Sequence, residues 1–265
     1  GEIPAEAPKD RRLQAFIGET VRPVKHINLT ASAIEAGCVV DRGEPLILID
    51  NQQNLGFAAG NNVGLRYALS QPDMSHVWIL NNDTLVEPGC LAAMQRRLLR
   101  ETTPKVCGSV IHFFDNPATI QAIGGNRFNK RTGVASQSEG RFRPENELDD
   151  CNLIEQKIDY VSGCSMLIPR SLLESVGLLN EDYFLYYEEI DWFTRAGESS
   201  RPCIAADAHV YHREGGSIGS PSWRQATPSL LADFHIFRSK HLFMRKYHRG
   251  NLLNKLIKFL ACPPS

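Results

Sequence analysis

The 265-residue chain has no run of 18 apolar residues, so nothing in it reads as a membrane-spanning helix. It also lacks an excess of one charge. The 29 Lys and Arg stand against 30 Asp and Glu, for a formal net charge of -1. A dedicated nucleic-acid binder normally carries a basic surplus, so no nucleic-acid partner is expected. The seven cysteines (Cys38, Cys90, Cys107, Cys151, Cys164, Cys203 and Cys262) never fall in CxxC spacing. That scatter predicts reduced thiols in a cytoplasmic protein, without a disulfide framework or a cysteine-based zinc site. The first residues are polar and proline-containing, with no apolar signal region. Internal repeats are absent. What remains is ordinary globular composition, 42% hydrophobic and 22% charged, in a length sufficient for one large domain with its own core.

The order of segments predicts an α/β layer structure. Pro45–Asp50 is a short apolar run, as expected of a strand buried on both faces. Gly56 and Gly60 follow it, then a helix for which Asn61 can serve as cap. His76–Leu80 is a second strand, ended by Asn81-Asn82-Asp83, and Pro88 opens a helix that runs to about Arg100. Strand, helix, strand, helix within about 60 residues is the pattern of a parallel sheet covered by helices. A third apolar run covers 105–114, and 129–152 reads as a long loop. Further strands are expected near 158–168 and 203–210, with a short helix over 171–176 closed by Gly177. From Phe234 onwards no acid occurs, while Arg238, Lys240, Arg245, Lys246, Arg249, Lys255 and Lys258 are all basic. This predicts a domain over 1–230 and a basic amphipathic helical segment over 231–265. The latter suits either an anionic membrane surface or docking on its own domain.

Four constellations can carry chemistry. Asn54-Leu-Gly-Phe-Ala-Ala-Gly-Asn-Asn62 places two glycines before a helix start, where backbone N–H groups can approach a phosphate or sugar hydroxyl. A tight turn needing positive φ explains the same residues. Asn81-Asn82-Asp83 lies at the carboxyl end of a strand, the edge where α/β sheets bind ligands, and Asp83 there can hold one divalent cation. Turn formation is the plainer alternative. In Phe184–Arg195 three acids, Glu188, Glu189 and Asp191, sit among aromatics that desolvate them and raise at least one pKa towards a general-base value. Helical spacing puts Glu188 and Asp191 on one face and Glu189 elsewhere. Acids gathered for a helix dipole would look similar. His212, before Gly215-Gly216, reads as either a metal ligand or a structural histidine.

Together and in order, the stretches NLGFAAGNNVGLRYA, VWILNNDTLVEPG, YVSGCSMLIPRSLLESVGLLNEDYFLYYEEIDWFTRA and AHVYHREGGSIG resemble family 2 glycosyltransferases of the rhamnosyltransferase-like branch. They span 54–217. The resemblance implies an α/β, Rossmann-like GT-A fold of α/β/α layers with a mostly parallel central sheet. It implies a nucleotide-diphosphate sugar donor lying across the strand ends. Asn81-Asn82-Asp83 corresponds to the family's DxD-like motif, with Asn81 in place of the first acid. Asp83 would then bind Mg2+ or Mn2+, and His212 would complete the metal site. The second acid of the family's Glu-Asp motif, its catalytic base, falls on Glu189, with Asp191 as second candidate. On the donor side the resemblance implies Asn54, Gly56, Phe57, Asn62, Asn81, Asn82, Gly163 and Cys164.

The family's opening strand and its VDN-type segment are not found, and about 40–60 residues of nucleotide-binding structure are expected to be missing before Gly1. The reading that follows is an inverting, metal-dependent transferase. It would move rhamnose or a hexose to a glycan or lipid-linked acceptor in cell-surface polysaccharide synthesis, in the cytoplasm or at the inner face of the membrane. A nucleotidyltransferase and an inactive nucleotide-sugar-binding domain are the alternatives.

Overall fold

A computed structural model describes residues 10–16, 26–37, 46–136, 140–145, 150–197, 200–213 and 229–248. The Gly215-Gly216 loop and the basic stretch after residue 248 lie outside the described residues. A helix α1 (Arg11–Phe16) precedes the unit β1 (Ile27–Thr30), α2 (Ala31–Glu35) and β2 (Ile47–Asp50), whose strands pair in parallel. Thr30 caps α2 by accepting the Ala33 N–H. Only the second of these strands is expected from the sequence; the structure adds β1 and α2 before it, a βα unit ahead of the glycine-containing segment.

The remaining described residues build one eight-stranded sheet with helices on both sides, and a separate two-stranded hairpin. Helix α3 (Gly56–Ser70) leads to β3 (His76–Leu80), β4 (Thr84–Val86) and α4 (Cys90–Leu98). Strands β5 (Cys107–Phe113), β6 (Asn116–Ile123) and β7 (Gly125–Asn126) follow. A small hairpin, β8 (Phe128–Asn129) with β9 (Val134–Ala135), and helix α5 (Cys151–Glu155) occupy the region expected to be loop. Then come β10 (Tyr160–Val161), β11 (Ser165–Pro169), α6 (Arg170–Val176), α7 (Glu188–Ala196), β12 (Cys203–His212) and α8 (Leu230–Tyr247). The sheet runs β10-β7-β6-β5-β11-β3, with β12 pairing both β5 and β4.

The α/β layering agrees with expectation, but the sheet is mixed and not mostly parallel. Strand β11 lies between β3 and β5, antiparallel to both, while β12 runs parallel to β5. β3, β5 and β12 therefore share one direction, and every other pairing in this sheet is antiparallel. A strand buried on both faces is an apolar run in either direction, so the sequence could not distinguish the two.

Alternation along β11 shows the layers. Met166 and Ile168 join the core under α3, α6, α7 and α8, with Ala58, Leu65, Leu172, Trp192 and Phe243. Leu167 faces the opposite core, with Ala93 and Met94 of α4 and Val210 of β12. The acid-free C-terminal region begins as part of the domain, because Phe243 is buried in the first core and Ser239 Oγ donates to the Leu185 carbonyl.

Candidate functional site

Helix α3 begins at Gly56, earlier than Asn61, so the expected loop is a helix start. Asn54 Oδ1 accepts the Gly56 N–H at 3.0 Å, and Asn61 Nδ2 donates back to the Phe57 carbonyl at 2.8 Å. Gly56 has φ +78, and a Cβ there would lie 2.3 Å from the Phe184 carbonyl oxygen. That oxygen accepts the Phe57 N–H at 2.7 Å, which fastens the first turn of α3 to the segment before α7.

The segment arrives at α7 under strain. Tyr186 (φ 65) and Tyr187 (φ 73) are both left-handed, a conformation that costs about 1–2 kcal/mol for each L-residue and needs support from its surroundings. Support comes from the Tyr187 hydroxyl, which donates to the Gly133 carbonyl at 2.5 Å, and from Phe128 and Phe243 around its ring. The two turned residues deliver Glu188 and Glu189 at the helix start.

Glu189 Oε1 accepts the Gly163 N–H at 2.9 Å. A side chain at 163 would meet that oxygen at 2.6 Å and the Phe57 ring at 3.0 Å, so only glycine leaves the three groups in contact. Burial raises the Glu189 carboxyl, while the N–H groups of Glu189 and Gly163 oppose the shift. Glu188 is buried, and its Oε2 has no hydrogen-bond partner among the described residues. Burial, then the neighbouring Glu189 charge, push the Glu188 carboxyl well above the usual range. Burial thus raises both carboxyls of the pair, Glu188 the more strongly.

The next residue, Cys164, connects this acid to the second cluster. Its carbonyl accepts the Asn81 N–H at 3.0 Å, its side chain is buried, and Asn81 Nδ2 lies 3.4 Å from His212 Nε2. His212 ends β12 and places Nε2 3.2 Å from Asp83 Oδ1, with Gln121 against Nδ1. When the Gln121 carbonyl accepts from Nδ1–H, the Nε2 lone pair faces Asp83, the tautomer a metal ligand needs. Burial would raise the Asp83 carboxyl, but while Nε2 of the adjacent His212 carries a proton that ring outweighs it and, with Arg213, holds Asp83 below its ordinary value. Asp83 Oδ1 is buried and makes no hydrogen bond among the described residues. An ionised, buried carboxylate oxygen beside an imidazole nitrogen fits a divalent cation. Asn82 is exposed beside this pair.

Two expected site residues are structural instead. Asp191 is fully buried and accepts from Lys246 Nζ at 2.7 Å, Arg195 Nε at 2.9 Å and the Tyr247 hydroxyl at 2.9 Å. A carboxylate so neutralised ties α8 to α7 and is no base for a substrate. Asn62 is buried too: its amide donates to the Leu179 carbonyl and Glu181 Oε1, and its oxygen accepts the Leu179 N–H. It braces the approach to α7 and does not line a donor site. Gln121, which contacts His212 Nδ1, and the strongly raised carboxyl of Glu188 are not expected from the sequence. Gln121 sits in a strand with no motif, whereas Glu188 was visible as one of the three acids.

The chain is 30% identical over 175 residues to the low-salt glycan biosynthesis hexosyltransferase of Haloferax volcanii, covering 64% of this chain and 51% of that protein. It is 30% identical over 97 residues to the N-acetylglucosaminyl-diphospho-decaprenol L-rhamnosyltransferase of Mycobacterium tuberculosis, covering 36% of this chain and 29% of that protein. The chain thus spans about half the length, or less, of these relatives. The crystal structure of GalNAc-T7 with UDP, GalNAc and Mn2+ superposes with a TM-score of 0.46 at 13% identity, over 83% of this chain and 47% of that one. The glycosyl transferase family 2 model matches residues 30–177, more than half of the 265 residues. The match runs from the βα unit through Asp83 and Gly163, and the chain belongs to glycosyl transferase family 2.

Proposed function

We propose that this chain is an inverting, metal-dependent glycosyltransferase that moves a hexose or rhamnose from a nucleotide-diphosphate donor to a glycan or lipid-linked acceptor. The observation that carries the reading is the continuous connection from Glu189 through Gly163, Cys164 and Asn81 to His212 and Asp83. It sets a half-buried carboxylate at one end and a cation-holding pair at the other.

Glu189 takes the proton of an acceptor hydroxyl as its oxygen attacks the anomeric carbon. The new carbon–oxygen bond forms opposite the bond to the leaving diphosphate, which departs with the electron pair, so the anomeric configuration inverts. The Gly163 N–H fixes the Glu189 carboxylate, and burial favours the uncharged form of Glu188 beside it. A positioned base of this kind contributes about 10²–10⁴-fold. Asp83 and His212 would hold Mg2+ or Mn2+, which when bound offsets the charge on the leaving diphosphate. The first turn of α3, with Gly56 and Phe57, borders the donor side. An inactive domain would have no use for two left-handed tyrosines that present a desolvated acid pair.

The place of action we propose is the cytoplasmic face of a membrane. No helix among the described residues is long and apolar enough to cross one. Helix α8 exposes Leu230, Leu231, Phe234 and Phe237, and the same helix carries Arg238, Lys240, Arg245 and Lys246. Apolar side chains beside cations favour an anionic lipid surface.

A thermal-shift screen of UDP-, GDP- and dTDP-sugars with and without Mn2+ tests the transferase reading. Stabilisation by one donor, dependent on the metal and lost in D83N, is expected. No metal-dependent stabilisation by any donor would overturn it.

A further inference from the structure

A second group of metal-binding side chains lies on the sheet face turned away from His212. His112 of β5 and His209 of β12 stand on adjacent parallel strands, with His112 Nε2 2.9 Å from His209 Nδ1. Glu145 Oε1 lies 3.7 Å from the same His209 nitrogen, and one ligand atom from each of the three residues falls within 4.8 Å of the others. His112 is fully buried and stacked on Tyr211, with ring centroids 5.0 Å apart. Tyr211 and His212 are consecutive in β12, so their side chains leave opposite faces of the sheet. The group is thereby separated from the Asp83–His212 pair.

We infer that His112, His209 and Glu145 form a binding site for a transition-metal ion of the zinc class. Two imidazoles and one carboxylate are a common three-ligand set for Zn2+, with the fourth position left to water or another ligand. Strand register holds the two rings together before any ion arrives, Tyr211 pairing with His112 and His209 with Val110. Metal–nitrogen bonds of about 2.1 Å at tetrahedral angles put the nitrogens about 3.4 Å apart, so the 2.9 Å pair needs only a slight opening. Two imidazole nitrogens favour zinc, whereas Asp83 and His212 offer a single nitrogen, and oxygens of a donor diphosphate would turn that site towards Mg2+ or Mn2+.

The ion would act as a cross-link. Glu145 belongs to a segment joined to β6 by the Phe142 N–H to Ile120 carbonyl and Ile120 N–H to Arg143 carbonyl bonds. Phe142 also stacks on Phe113 of β5, with centroids 5.4 Å apart. Joining Glu145 to His112 and His209 fastens this segment across two strands of the sheet, and an ion that binds only the folded chain stabilises it by mass action. The inference does not depend on the transferase reading.

The full chain, stripped with EDTA and dialysed, is titrated with ZnCl2 and separately with CoCl2. Metal content, the visible absorption of bound Co2+ and Tm are measured for the wild type, D83N, E145Q and the double variant H209Q/E145Q. Glu145 and His209 are partly exposed, so these replacements avoid the buried His112, and far-UV circular dichroism confirms that each variant is folded. One equivalent of Zn2+, a tetrahedral Co2+ spectrum and a higher Tm are expected for both wild type and D83N. E145Q should bind more than about tenfold more weakly, and the double variant should show none of the three signals. No zinc retained by the wild type, equal binding by the double variant, or loss of binding in D83N would each overturn the inference.

Discussion

Replacing Asp191 by Asn separates a structural acid from a catalytic one. The Asp191 carboxylate has no exposed surface, and it meets Lys246 Nζ at 2.7 Å, Arg195 Nε at 2.9 Å and the Tyr247 hydroxyl at 2.9 Å. An amide leaves two cations facing a neutral group. Breaking a buried ion pair by removing one partner costs about 3–5 kcal/mol. The Lys246 and Arg195 side chains are 40% and 26% exposed, so water takes up part of that loss and the lower end, about 3 kcal/mol, applies. For a chain of this size that corresponds to a fall in Tm of about 6–12 °C. Circular-dichroism melts of D191N, D191N/K246M and E189Q measure it. Removing the stranded lysine charge should restore part of the loss, and E189Q should melt close to wild type while losing transfer. If D191N melted like wild type and lost transfer, the structural role would be refuted and Asp191 would return as the base.

Glu188 gives a pH signature. Its carboxyl is raised in the folded protein, so the unfolded chain releases that proton first, and stability falls as pH rises from about the ordinary 4.5 through the raised value. The Tm advantage of E188Q over wild type should therefore grow between pH 5 and pH 8, and a constant difference would contradict the raised pKa. G163A drives a methyl group towards Glu189 Oε1 and Phe57, and should lower the transfer rate at least about tenfold while leaving Tm near wild type. Q121L removes the group that orients His212, and calorimetry should find Mn2+ binding with donor weakened about 10–100-fold. F234D/F237D should lose co-sedimentation with vesicles rich in anionic lipid, and unchanged sedimentation would exclude α8 as the contact.

Local chemistry was legible in the sequence wherever neighbouring residues make the site. The Asn81–Asp83 strand end and the Glu188-Glu189 pair lie at the strand end and helix start that the sequence pattern suggests, whereas α3 starts at Gly56, five residues before the expected cap. What the sequence hid depends on distant partners. Asp191 shares a helix face with Glu188, but Lys246 and Tyr247, which claim its carboxylate, come from α8 far along the chain. Asn62 looked like a helix-start residue beside a ligand, yet its hydrogen bonds go to Leu179 and Glu181. Strand direction was hidden for a different reason, because β11 is apolar on both faces and its run says nothing about its neighbours' polarity. Strand β1 escaped because it is four residues long and only partly buried.

The role of Glu189 is tested most directly by incorporation of radiolabelled sugar into a lipid extract. Wild type, E189Q and E189D are compared with the donor identified by thermal shift and Mn2+ present. The expected result is donor-dependent labelling by wild type, reduced but measurable labelling by E189D, and labelling by E189Q lowered at least about 100-fold with donor binding intact. Labelling by E189Q at the wild-type rate would contradict the assignment of Glu189 as the base.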